Sequence, residues 1–191
     1  MTDPATIDAA QAEADTRRWL ERAVIGLNLC PFAKAVHVKA QIHYAVHLPA
    51  EEAGLMDALL SEANDLAAVD AAVRDTTLLI APNTLADFLD FNDFLGRAER
   101  KLSRAGFDGV FQLASFHPQF QFAGTEADDI ENATNRAPYP TLHLLREDSV
   151  SRAVEAFPGA EAIFERNIET LEALGPDGWA ALDVGPGSAR P

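Results

Sequence analysis

This chain of 191 residues carries one cysteine, Cys30. That excludes an intramolecular disulfide framework, a multi-cysteine zinc module and an iron–sulfur cluster held by one chain, and it suits a reducing compartment. Long apolar runs are also missing. Nothing approaches the roughly 18 consecutive apolar residues that a membrane-spanning helix needs. The opening MTDPATIDAAQAEADTRR carries acids and no basic leader followed by an apolar stretch. The expectation is therefore a cytoplasmic protein with no membrane partner.

Basic residues are scarce, 15 against 30 acids, for a formal charge of -15. Such a balance repels phosphate backbones, so no nucleic-acid partner is expected. The chain has no phosphate-cradling glycine motif, no Gly-x-Ser-x-Gly elbow and no His-Glu-x-x-His pair. Common nucleotide, hydrolase and metalloprotease readings therefore lack support, and the sequence identifies no cofactor.

What is present is a core. At 48% hydrophobic residues, with 11 Phe and an ordinary 24% charged fraction, the chain can bury one domain without outside help. Trp19, Leu20, Ala23, Val24 and Leu27 recur at helical spacing and predict a helix that stops near Asn28, before Pro31. A strand is expected over 41–48, then a helix from Pro49 through Ala63 and a second helical piece from Leu66 to Val73. Thr76 to Ala81 is short, apolar and β-rich, as in a strand buried on both faces.

Asn83 or Thr84 should cap the next helix, whose stripe is Phe88, Phe91, Leu95 and Leu102, with Gly106 closing it. Val110 to Phe116 and Thr141 to Leu145 read as strands. Between them, 117–139 is long for a connection, and Thr125-Glu126-Ala127-Asp128 has the form of a capping box for a short helix. The last helix, marked by Ile163, Phe164, Ile168 and Leu171, should end at Gly175-Pro176. This alternation predicts an α/β fold: a layered single domain with a mixed, partly parallel sheet of about four strands flanked by helices. The expected organisation is a flexible segment over 1–16, the domain over 17–178 and a loose tail over 179–191.

Ligands in open α/β sheets gather beyond the carboxyl ends of strands, which puts Asn83 and His117 at the rim. His117 opens the long loop and could act as an acid or base; it could equally cap a strand end through a backbone hydrogen bond. Cys30 could be a nucleophile, but it follows a helix C-terminus, where the dipole opposes a thiolate unless Lys34 and Lys39 fold back toward it. The alternative is a buried small hydrophobe. Arg136, stiffened by Pro138 and Pro140, could grip an anion with Asn135 beside it, or pair with Glu131 or Asp129.

A mononuclear metal could use His117, His143 and one of Asp128, Asp129 or Glu131, although no pair has diagnostic spacing. No metal ligand is therefore assigned. His37, His43 and His47 form no pattern. Residues 17–43 carry five bases and one acid, an acid-poor stretch able to attract a small anion.

The phrases LNLCPFA (27–33), FHPQFQFAG (116–124) and NRAPYPTLHLLRE (135–147) together resemble the DUF1415 family of uncharacterised bacterial proteins. The likeness runs from about Trp19 to Leu174. It implies no reaction, but Cys30, His117, Asn135 and Arg136 all stand in those phrases. The leading expectation is a small enzyme or binding protein for a small anionic metabolite. In it His117 and Cys30 would be catalytic, and Asn135, Arg136, Lys34 and Asn83 would bind the ligand. A non-catalytic interaction or regulatory domain and a mononuclear metal protein are the alternatives.

Overall fold

The computed structural model describes residues 7–187. Its centre is a four-stranded sheet of β1 (Ile42–Val46), β2 (Thr76–Ile80), β3 (Phe111–Phe116) and β4 (Thr141–Arg146), in the order β1-β2-β4-β3. β1 and β2 are parallel, while β4 runs antiparallel to both β2 and β3. The fold is thus mixed α/β and partly parallel. Because β4 is reversed, the carboxyl ends of β1, β2 and β3 share one rim with the start of β4.

Side chains alternate across a pleated sheet, so register assigns them to faces. One face carries Leu79, Leu142 and Leu144, which pack with Leu55, Leu59 and Leu66 of α3 (Glu52–Ala68) and Phe91, Phe94 and Leu102 of α4 (Phe88–Arg104). β2 is buried at every position, which explains its apolar run. The other face carries the row Tyr44, Leu78, His143 and Ala114. Tyr44, Leu78, Ile80 and Phe116 on this face pack with Trp19, at the end of α1 (Ala9–Trp19), and with Leu20. Trp19 meets Phe116 edge-on at 4.9 Å.

The first helix differs from the sequence expectation at its start. It begins at Ala9, where Asp8 accepts from the Gln11 amide at 2.8 Å. Asp15 and Thr16 occupy its buried face, so the apolar stripe is interrupted and the first turns are hidden from a periodicity reading. After Trp19 the chain widens into a π-helical stretch, Leu20–Ile25. Asn28 then takes the left-handed conformation (φ 55°) and turns the chain out of the helix, as expected.

Other boundaries move for local reasons. No separate helix follows Leu66: α3 continues to Ala68, and the Asp70 carboxylate accepts from the Ala72 amide in the turn beyond. Asn83 and Thr84 do not cap α4. Their side chains donate to the Leu48 and Pro49 carbonyls, tying the exits of β1 and β2 together, and Asp87 caps instead by accepting from Leu89 and Asp90. The short helix in the long connection is a 3-10 segment, Ile130–Asn135, and the expected capping box is replaced by Asp129 accepting from the Glu126 amide.

Two helices, α2 (Ala33–Val38) and α5 (Glu147–Glu155), join the expected set. The last helix, α6 (Ile163–Ala181), kinks at Gly175 (φ 67°) and resumes from Pro176. Packing also reaches further than the expected boundaries at 17 and 178. Arg18 donates to the Asp183 and Gly185 carbonyls, and Val184 is buried. Residues 1–6 of the segment expected to be flexible, and 188–191 of the expected tail, lie outside the described residues.

Candidate functional site

The inner face of the sheet is not wholly filled by α1 and the π-helical stretch. Beside Leu78, Ala114, Phe116 and His143 lies a cavity of about 560 Å³. Trp19, Leu20, Val24, Cys30 and Phe32 wall it on one side; Val150, Ala153 and Phe157, on α5 and just beyond it, wall the other. Phe32 and Phe157, both in its lining, meet edge-on at 5.6 Å. Concave, largely apolar spaces with a few polar groups are where small molecules bind.

The polar atoms at its margin already have partners. Arg146 donates to the Leu66, Val69 and Arg74 carbonyls, closing the C-terminal end of α3. Ser149 donates to Asp75 at 2.6 Å, and Gln112 to Glu147 at 2.8 Å. Two reactive groups remain: Cys30 and His143.

Burial pushes the Cys30 thiol pKa up, while the Phe32 and Ala33 amides draw it partly back. The sulfur is therefore a protonated wall group at neutral pH, and Lys34, exposed on α2, does not line the cavity. His143 is pushed down to about 4 by burial, which keeps the imidazole neutral. Its Nε2 lies 2.6 Å from Thr76 Oγ1, and that hydroxyl also lies 2.6 Å from the Leu144 carbonyl oxygen. Among the described residues His143 Nδ1 makes no hydrogen bond, and His143, half-buried, lines the cavity.

The sequence-predicted rim residues gather elsewhere. His117 is fully buried against Phe88 and Phe91, at ring distances of 5.4 and 5.0 Å. Its Nδ1 accepts from the Gln119 amide and its Nε2 donates to the Leu85 carbonyl, each at 3.0 Å. Desolvation lowers its pKa, partly opposed by the Leu85 carbonyl and the charge of Asp87. Both nitrogens are engaged, so neither is left to move a proton or hold a metal.

Asn135 donates to the Ser115 carbonyl, and its own carbonyl receives the His117 amide. Arg136 donates to the Phe120 and Ala127 carbonyls rather than to Glu131 or Asp129, and burial lowers its pKa. These residues, with Asn132 bonded to Phe122, Thr125 and Glu126, fasten the 117–135 connection to itself. Of the predicted site set, Cys30 lines the cavity, whereas His117, Asn135, Arg136, Lys34 and Asn83 do not. Among the described residues, no group of three or more His, Cys, Asp or Glu side chains converges on a metal position.

The sequence reading missed the α5 wall and the contact between Thr76 and His143. A signal existed: Val150, Ala153, Val154 and Phe157 fall at helical spacing directly after β4. No described helix is long and apolar enough to cross a membrane. A family model described as a protein of unknown function, DUF1415, matches residues 11–181. No curated protein and no solved structure matches the chain.

Proposed function

The chain belongs to the DUF1415 family, and from that premise we propose that it binds a small, largely apolar, uncharged molecule between its sheet and the α5 wall. One observation carries this reading: a largely apolar cavity of about 560 Å³ at whose margin Arg146 directs Nε and Nη2 to backbone carbonyl oxygens. The sequence favoured a small anion. Lys34 and Arg136 lie off the cavity, however, and Arg146 at its margin is turned to the Leu66, Val69 and Arg74 carbonyls, so an anion entering would lose water against a largely apolar lining. An apolar molecule loses nothing comparable. Burying about 200 Å² of its surface gains on the order of 5 kcal/mol before the costs of association.

The groups present favour recognition over covalent chemistry. A thiol whose pKa is raised is a poor nucleophile, and an imidazole that titrates near 4 is a weak base at neutral pH.

The test uses two probes sharing one skeleton: neutral phenylnaphthylamine and its anionic sulfonate, anilinonaphthalene sulfonate. The neutral probe should show saturable fluorescence enhancement and bind more tightly than the sulfonate. Ala153→Trp and Ala114→Trp, which fill the cavity from opposite walls, should each abolish that binding while circular dichroism shows a folded protein. Stronger binding of the sulfonate would restore the anionic reading. Equal binding of the neutral probe by folded, filled variants would sink the cavity as the site.

A further inference from the structure

The cavity floor holds one polar atom whose bonding is incomplete, and the protein fixes its chemical state. The Thr76 hydroxyl has a single proton and lies 2.6 Å from the Leu144 carbonyl oxygen, which can only accept. The proton is therefore spent there. At the second 2.6 Å contact, Thr76 Oγ1 must accept, so His143 Nε2 is the donor and carries the ring hydrogen. A neutral imidazole with hydrogen on Nε2 has a bare lone pair on Nδ1.

His143 shares its row with Leu78 and Ala114, and its ring centroid lies 6.0 Å from that of Phe116, so its neighbours on the floor offer no donor. Among the described residues, no hydrogen bond joins it to Cys30. Ser149 gives its one hydroxyl hydrogen to Asp75, and Gln112 and Arg146 donate to Glu147 and to backbone carbonyls, none of them bonding His143. A hydrocarbon that covers Nδ1 would seal the acceptor from water without pairing it, so a molecule supplying a donor gains over an isosteric hydrocarbon.

We infer that His143 Nδ1 is a recognition atom that accepts a hydrogen bond from the bound molecule, so that the cavity selects apolar alcohols, phenols or N–H heterocycles over hydrocarbons of the same shape. The inference rests on the apolar-cavity reading above and adds the polarity and position of one ligand group. Thr76 is a positioning residue: its hydroxyl, engaged with the Leu144 carbonyl and His143, acts by holding the hydrogen on Nε2.

Naphthol and methylnaphthalene, which exchange a hydroxyl for a methyl on one skeleton, separate the two claims. Both should bind, and replacing His143 by Leu should cut the preference for naphthol by about 3- to 10-fold, the range of one net hydrogen bond. Thr76→Val, which frees the tautomer, should lower the preference while leaving methylnaphthalene affinity unchanged. In the unmodified protein, nitrogen NMR should show a protonated Nε2 and a bare Nδ1. The Nδ1 resonance should move upfield with naphthol and stay in place with methylnaphthalene. This readout does not depend on any variant folding.

If both compounds bind, the preference survives in His143→Leu and naphthol leaves the Nδ1 resonance in place, the recognition role is overturned and the apolar cavity stands. If neither compound binds, the cavity reading fails and takes this one with it.

Discussion

Protonating His143 would place a cation on an apolar floor beside Leu78 and Ala114, which is why its pKa falls from 6.5 to about 4. In the unfolded chain the same imidazole titrates near its ordinary value. Between the two pKa values the unfolded state binds the extra proton, so stability rises with pH there and is complete above 6.5. It falls as the pH drops toward 4, and for this one group the full difference amounts to about 3 kcal/mol. His117, also lowered by desolvation, contributes with the same sign below 6.5. Denaturant unfolding at pH 7 and pH 5 should therefore show a marked loss in the parent protein and a smaller one in His143→Leu. An unchanged loss would mean that His143 is not desolvated as described. At this scale the sequence exposed residue types but not their partners. For His117 the sequence offered a backbone-bonded reading as an equal alternative, but its carbonyl partner Leu85 is 32 residues away and could not be named. For Cys30 the preceding helix end argued against a thiolate, and the residue stands half-buried on the cavity wall.

Among the elements, the 117–135 connection shows how a stretch without regular strands can still be rigid. Asn132, fully buried, accepts from the Phe122 amide at 2.9 Å and the Thr125 hydroxyl at 2.8 Å, and donates to the Glu126 carbonyl at 2.7 Å. One amide side chain thus does the work of a missing ladder. Asn132→Ala would leave the Phe122 amide and the Glu126 carbonyl without this partner, while the Thr125 hydroxyl keeps the Phe122 carbonyl at 3.0 Å, with an expected loss of about 2–3 kcal/mol in denaturant unfolding. Phe122 should then lose amide exchange protection ahead of the β4 amides; retained protection would show that the connection does not depend on Asn132. The four strands were readable because a run such as Thr76 to Ile80 is buried throughout. Helix beginnings were less so: Asp15 and Thr16 break the stripe of α1, and the side chains of Asn83 and Thr84 reach across to β1 instead of capping α4. The π-helical stretch Leu20–Ile25 leaves no mark in a pattern read at 3.6 residues per turn.

The largest-scale tie in the molecule is made at Asp15. Its carboxylate accepts from the Tyr139 hydroxyl at 2.7 Å, Arg18 at 2.7 Å, Gln11 at 2.8 Å and the Gly187 amide at 2.9 Å. The first helix, the approach to β4 and the segment after α6 therefore converge on one buried acid. Burial would raise its pKa, but together the bonds from Gly187, Tyr139, Arg18 and Gln11 outweigh that and lower it. Sequence reading could not join positions this far apart, and so it set the domain boundaries inside the packed unit. A chain ending at Leu182 removes the buried Val184, the Asp183 and Gly185 carbonyls that receive Arg18, and the Gly187 amide. Arg18 and Asp15 keep each other but lose their outer partners, and the apolar loss adds to this. The expected cost is about 2–4 kcal/mol by denaturant unfolding. Tyr139→Phe, which removes one donor to the same carboxylate, should cost about 1.5–3 kcal/mol. In the truncated chain it should cost more, because Asp15 then has fewer donors left to share its charge. Simple addition of the two losses would show that the far end of the chain and the approach to β4 do not act through Asp15.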